Sequence, residues 1–156
     1  YPVEVVKAMS DAALGAERQA VVRTSRYRAD RQFSTAQETI AMSAIYAANH
    51  YGNVRGIACL TASGNTPLLM SRLSSGLPIF GLGSSPETLQ KLCLCRGVIP
   101  LFFDASAFAS EEVEARAIEF LLDGGYLLKG DSILLTKGTE MGRSGSTNIM
   151  KILPVQ

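Results

Sequence analysis

The sequence predicts an α/β protein: a three-layer domain with a five-stranded mixed sheet and helices on both faces. Three observations carry this reading. Short apolar runs alternate with segments of helical spacing three times along the chain. The runs are punctuated by Gly, Ser, Thr and Pro where a strand would turn into a helix. The last two apolar runs are joined by a loop with no helical period, so they pair antiparallel and the final strand is an edge. If the first three strands wind one way, the fourth joins the other side of the first. The strand order is then 3-2-1-4-5, with strand 5 antiparallel.

Each element has its own signal. From Pro2 to about Ala20, Val5, Val6, Met9, Ala13 and Ala16 recur at helical spacing, with Glu4 in the first turn. Between Val21 and Phe33 the period vanishes and Arg23, Arg26, Arg28 and Arg31 accumulate. That stretch reads either as a solvated linker or as an arm that docks on an acidic neighbour. Thr35-Ala36-Gln37-Glu38 is a capping box and opens a helix to Tyr51, with Gly52 as its stop. Ile40, Ala44, Ala47, Ala48 and Tyr51 are its expected buried stripe.

Gly56–Leu60 is the first strand, and a short helix Pro67–Leu73 follows, with Thr66 as expected N-cap and Pro67 at the first helical position. Pro78–Leu82 is the second strand. Ser85 and Pro86 open a helix to about Cys95. Val98–Phe103 is the third strand. Ser110 is the expected cap of a helix with Glu111, Glu112 and Glu114 in its first turn and Val113, Ala117, Phe120 and Leu121 on its apolar side. Ser132–Thr136 and Asn148–Val155 are the last strands, and Pro154 suits an edge.

At 156 residues and net charge +1, the chain is one domain by size and carries no electrostatic footprint for nucleic acid. No run approaches the ~20 apolar residues of a membrane span, and no signal peptide is visible. A first residue of Tyr rather than Met predicts a piece of a longer chain. Cys59, Cys93 and Cys95 are odd in number and lack zinc spacing, which predicts buried free thiols rather than a metal or redox site. The single histidine, His50, falls at a helix end and reads as a favourable C-terminal charge or a plain surface residue rather than a catalytic group.

Ligands of open α/β sheets lie beyond the carboxyl ends of the strands, where strand order reverses. Here that point falls between strands 1 and 4, whose loops are Thr61–Thr66 and Lys137–Thr147. The first loop places Thr61, Ser63, Gly64, Asn65 and Thr66 at the positive end of a helix, which suits a phosphate. It is not a Walker A loop, and simple helix capping explains the same residues. The turn at Gly83–Ser85 has the same composition but is expected to lie off the crevice. The second loop contributes Gly142, Arg143, Ser144 and Gly145, one cation among residues that let backbone approach a ligand.

These residues resemble the C-terminal domain of pyruvate kinase over essentially the whole chain. Leu60-Thr61-Ala62-Ser63-Gly64-Asn65-Thr66 matches the loop that holds an effector phosphate in that family. Tyr46–Asn49, Ser74–Phe80 and Arg96–Pro100 match further family patterns, and Gly145–Asn148 resembles the end of its second effector loop.

The resemblance implies that residues 1–20 are the last helix of a catalytic barrel absent from this chain, 21–34 a connector, and 35–156 the effector-binding domain. It implies a cytoplasmic enzyme of glycolysis, a transferase moving phosphate from phosphoenolpyruvate to ADP with magnesium and often potassium. The catalytic residues of that enzyme lie in the barrel and lid. This part is then non-catalytic, holds no metal or cofactor, and serves allosteric regulation and homotetramer contact through the last strand.

Arg116 matches an arginine that binds the distal phosphate of fructose 1,6-bisphosphate in some members. It also reads as an exposed helix residue paired with Glu112 or Glu119. Two departures bear on the ligand. Many bacterial members have arginine where this chain has Asn65, and the tryptophan framing the bisphosphate site in eukaryotic members has no counterpart. The first weakens the phosphate expectation, and the second makes the bisphosphate a poorer match than a sugar monophosphate or AMP, the effectors of a bacterial subgroup that the Ser74-Ser75-Gly76 pattern resembles. Competing expectations are a purely structural assembly module with a vestigial crevice and a stand-alone α/β phosphometabolite-binding protein. A stand-alone enzyme using Ser63 or Thr61 as nucleophile lacks a flanking acid–base pair.

Overall fold

Alternation of side chains along each strand gives a sheet two apolar faces, and each must be covered. The computed structural model, which describes residues 1–18, 32–73, 75–140 and 142–156, covers both. The helices are α1 (Pro2–Glu17), α2 (Ala36–His50), α3 (Asn65–Arg72), α4 (Pro86–Leu92) and α5 (Val113–Asp123). The strands are β1 (Val54–Leu60), β2 (Ile79–Gly83), β3 (Val98–Phe102), β4 (Ser132–Gly138) and β5 (Thr147–Pro154).

The sheet order is β3-β2-β1-β4-β5, with β1, β2, β3 and β4 parallel and β5 antiparallel to β4. Ile57, Ile79 and Leu134 meet Ala41, Ala44, Ile45 and Ala48 of α2 and Met70 of α3 on one face. Ala58, Phe80, Ile133 and Leu135 meet Val113, Ala117 and Leu121 of α5 on the other. The three alanines of α2 let its backbone lie close to the sheet, and they and Ile45 are almost wholly excluded from water.

Several local expectations differ from the structure. Tyr51 is half exposed, because it leaves the helix in an extended conformation and so falls off the buried stripe. Ser110 lies in a turn; α5 starts after Glu112 with no side-chain cap. An unanticipated 3₁₀ turn, Ala105–Ala107, is capped by Asp104, whose Oδ1 accepts from Ser106 N and Oγ at 3.0 and 2.6 Å. α4 stops at Leu92, so Cys93 is exposed and Cys95 half-buried, and of the three thiols only Cys59 is buried.

α1 carries its expected apolar stripe but buries none of it; Val3, Val6 and Met9 are exposed. The arginine-rich stretch with Arg23, Arg26, Arg28 and Arg31 lies outside the described residues.

Candidate functional site

β1, β2 and β3 run in register and end together, so their carboxyl-end loops stand abreast. Thr61 N donates to Leu82 O at 2.9 Å and Phe103 N to Gly83 O at 3.0 Å, carrying the parallel ladder past the strand ends. The β4–β5 loop closes over this edge. The result is a crevice of about 170 Å³. Thr61, Ser63 and Thr66 line it from the first loop, and Gly142, Arg143 and Gly145 from the second. Gly64, Asn65 and Ser144 lie beside them in the chain but off its lining.

Four polar side chains of the lining were not legible as site residues: Gln37, Ser84, Asp104 and Ser106. Ser84, with Gly83, corrects the expectation that the second turn lies off the crevice. A Cβ on Gly83 would come within 2.7 Å of Thr61 O, so the two turns are in contact. The Asp-x-Ser spacing of Asp104 and Ser106 was the available signal for a capped turn at the third strand's end.

The first loop starts its helix in an unexpected way. The N-cap of α3 is Gly64 in the left-handed region (φ 78°), with no side-chain cap. Pro67 therefore sits two positions deeper than expected, as the third helical residue. Thr61 Oγ1 accepts from Gly64 N at 2.9 Å and holds the turn. Thr66, only 1% exposed, turns its hydroxyl inward rather than toward a ligand. It accepts from Gln37 Nε2 at 2.8 Å and pairs with Thr147 Oγ1 at 2.7 Å. One hydroxyl thus joins α2, α3 and β5, and ties the two crevice loops together at a single end of the sheet.

Cys59 lies beneath this junction. Burial pushes its thiol up to about 12, against a smaller opposing pull from the Thr136 and Thr66 hydroxyls. The Thr136 hydroxyl is itself buried without a partner of good hydrogen-bond geometry. A thiol in this state is a small apolar filler and not a nucleophile.

The crevice lining is mixed in charge. Asp104 and Glu140 are acidic, and Arg143 is the one cation among the described lining residues. Arg143 Nη1 lies 2.7 Å from Glu140 Oε2 in a largely exposed pair. Arg116 is elsewhere. It lines a neighbouring crevice with Phe102, Phe108 and Asp123, is 2.8 Å from Glu119 and stands 5.9 Å from the centre of the Phe108 ring. The two crevices share Phe103 and Asp104.

His50 stacks on Tyr46 and contacts its carbonyl oxygen through Nδ1, away from the crevice lining. Among the described residues no group of three His, Cys, Asp or Glu could hold a metal ion, and no helix is long and apolar enough to cross a membrane.

The family described as "Pyruvate kinase, alpha/beta domain" matches residues 38–153. Pyruvate kinase II of Salmonella typhimurium is 45% identical over 159 residues, covering all of this chain and 32% of that protein. The pyruvate kinase of Haemophilus influenzae is 44% identical over 156 residues with the same coverage, and that of Naumovozyma castellii 32% identical over 97% of this chain. The chain thus spans about a third of the length of these relatives. With the 3-2-1-4-5 mixed sheet, these matches establish that the chain belongs to the pyruvate kinase family, as its C-terminal alpha/beta domain.

Proposed function

We propose that this chain is the regulatory and assembly domain of a pyruvate kinase, and that it binds a phosphorylated metabolite between the 61–66 and 137–147 loops. The observation that carries the reading is the crevice at the strand-order reversal, lined by Ser63, Thr61 and Arg143. Ser63 supplies a hydroxyl donor and Arg143 a guanidinium fork that matches phosphate oxygens. Thr66 acts by positioning the loop.

A single cation and the nearby Asp104 favour a sugar monophosphate or AMP over fructose 1,6-bisphosphate, whose second phosphate would face a carboxylate. Arg116 is taken up by Glu119, which further disfavours a bisphosphate spanning both crevices. The parent enzyme is proposed to be a cytoplasmic glycolytic phosphotransferase. Its chemistry, with magnesium and potassium, belongs to the two thirds of the relatives that this chain does not span. The edge strand β5, with unpaired backbone groups and exposed Ile152, is the proposed subunit contact of a homotetramer.

Calorimetric titration of the chain with AMP, glucose 6-phosphate and fructose 1,6-bisphosphate tests the site. Binding of a monophosphate that Arg143→Ala weakens supports it. Absence of heat and of any melting-temperature shift at millimolar ligand defeats it. The second reading, an assembly domain with a vestigial crevice, is favoured by the surplus of carboxylates over cations in the lining, and that negative result would select it.

A further inference from the structure

We infer that Glu140 occupies the anion position on Arg143, so that a ligand enters by exchanging with a carboxylate of the protein. This inference rests on the proposed anion site. Arg143 is the one cation among the described lining residues, and its guanidinium is already engaged by Glu140 at 2.7 Å. Carboxylate and phosphate oxygens present the same acceptors to a guanidinium fork, so a phosphate and Glu140 compete for one set of donors.

An exposed pair between long side chains is ordinarily weak, because two flexible side chains must be held in one geometry. Here the backbone has done part of the ordering. Ser146 Oγ lies within hydrogen-bonding distance of the carbonyls of both partners, 3.1 Å from Glu140 O and 2.8 Å from Arg143 O, and shares its one proton between them. Arg143 N reaches Glu140 O at 3.4 Å. Gly142 and Gly145 take the left-handed conformation the tight turn needs, with φ 80° and 76°. Thr139 N donates to Asn148 Oδ1 and Asn148 Nδ2 to Thr139 Oγ1, both at 3.1 Å, which closes the base of the loop. The Glu140 carboxylate has no other partner among the described residues. The turn therefore delivers one carboxylate to one guanidinium at the mouth of the crevice and to nothing else.

Glucose 6-phosphate and AMP, titrated calorimetrically at low salt, are the probes. The proteins are the parent chain, Glu140→Gln, Arg143→Gln and the double variant, with urea midpoints to establish folding. Glu140→Gln is expected to tighten binding by up to about fivefold, the worth of an exposed ion pair. Arg143→Gln weakens binding, and adding Glu140→Gln to it gives little or no recovery. Binding by Glu140→Gln where the parent binds neither probe also supports the exchange. Unchanged or weaker binding by Glu140→Gln overturns it while leaving the anion site standing. Equal tightening with and without Arg143 also overturns it, because Glu140 would then act only by general repulsion. If no protein of the four binds either probe, the anion site fails and the exchange fails with it.

Discussion

Two strand-to-helix turns of similar composition stand side by side at the carboxyl edge of the sheet, and they start their helices by different means. The second uses the common device: Ser85 in extended conformation accepts from Thr88 N at 3.3 Å, and Pro86 follows at the first helical position. The first leaves its helix without a side-chain cap, begins at a left-handed Gly64, and sends Thr66 inward to Gln37 and Thr147. Thr88 Oγ1 of the second turn donates to Ala62 O of the first at 3.1 Å. One turn is therefore self-sufficient and braces its neighbour. The other has no side-chain cap from its N-cap residue, and its hydroxyls are divided between the interior and the crevice. The difference separates a helix start capped by its own serine from one whose threonine is spent on partners remote in sequence.

The largest effect expected beneath the first turn is alkaline. The Cys59 thiol is neutral when folded because burial raises it from 9.0 to about 12, whereas the unfolded thiol ionises near its ordinary value. Its contribution is therefore intact below pH 9 and lost progressively as pH rises toward 12, by roughly 4 kcal/mol at the limit. Urea unfolding across that range should show a steeper loss for the parent than for Cys59→Ala. Equal slopes would mean that the thiol is hydrated when folded.

Thr66→Val comes next. It strands the Gln37 amide and the Thr147 hydroxyl and should cost about 1–3 kcal/mol in a urea denaturation series. A cost near zero would make the first turn no different from the second. Ser85→Ala removes an ordinary cap and should cost about 1 kcal/mol in the same assay. Ser63→Ala should change stability by less than about 0.5 kcal/mol while weakening phosphate-ester binding in calorimetry. A larger stability loss with unaltered binding would reassign Ser63 to the scaffold.

Much of the architecture was legible because its signals are local. The cap half of the box at Thr35–Glu38 appears as read, with Thr35 Oγ1 accepting from Glu38 N at 3.1 Å, while the Glu38 carboxylate reaches back one residue further, accepting from Ser34 N and Oγ at 3.0 Å. The missing helix between the last strands gave the antiparallel edge, and winding the first three strands one way put the fourth on the other side of the first. The misread details depend on what lies across space. Thr66 looked like a cap because its partners, Gln37 and Thr147, are remote in sequence. Ser84 and Asp104 joined the crevice because three parallel strands end level with one another, which no local period records. Cys93 and Cys95 were expected as buried thiols near a helix end at about Cys95, whereas α4 ends at Leu92 and leaves them outside the core.

The position of β4 governs the order in which the molecule can be completed during synthesis. β1 pairs with β2, and β2 with β3, so three strands can assemble as soon as the chain has passed Phe102. The other side of β1 belongs to β4, which emerges much later, and the interior of β1 from Gly56 to Leu60 is buried in the finished protein. A nascent chain therefore carries the future centre of its sheet as a bare apolar edge until Ser132 to Gly138 arrives. Thr147 reaches Thr66 only after that, so the crevice closes last. Chains truncated before Ser132 should aggregate rather than fold as smaller sheets, and ribosome-bound chains of that length are expected to need a chaperone on that edge.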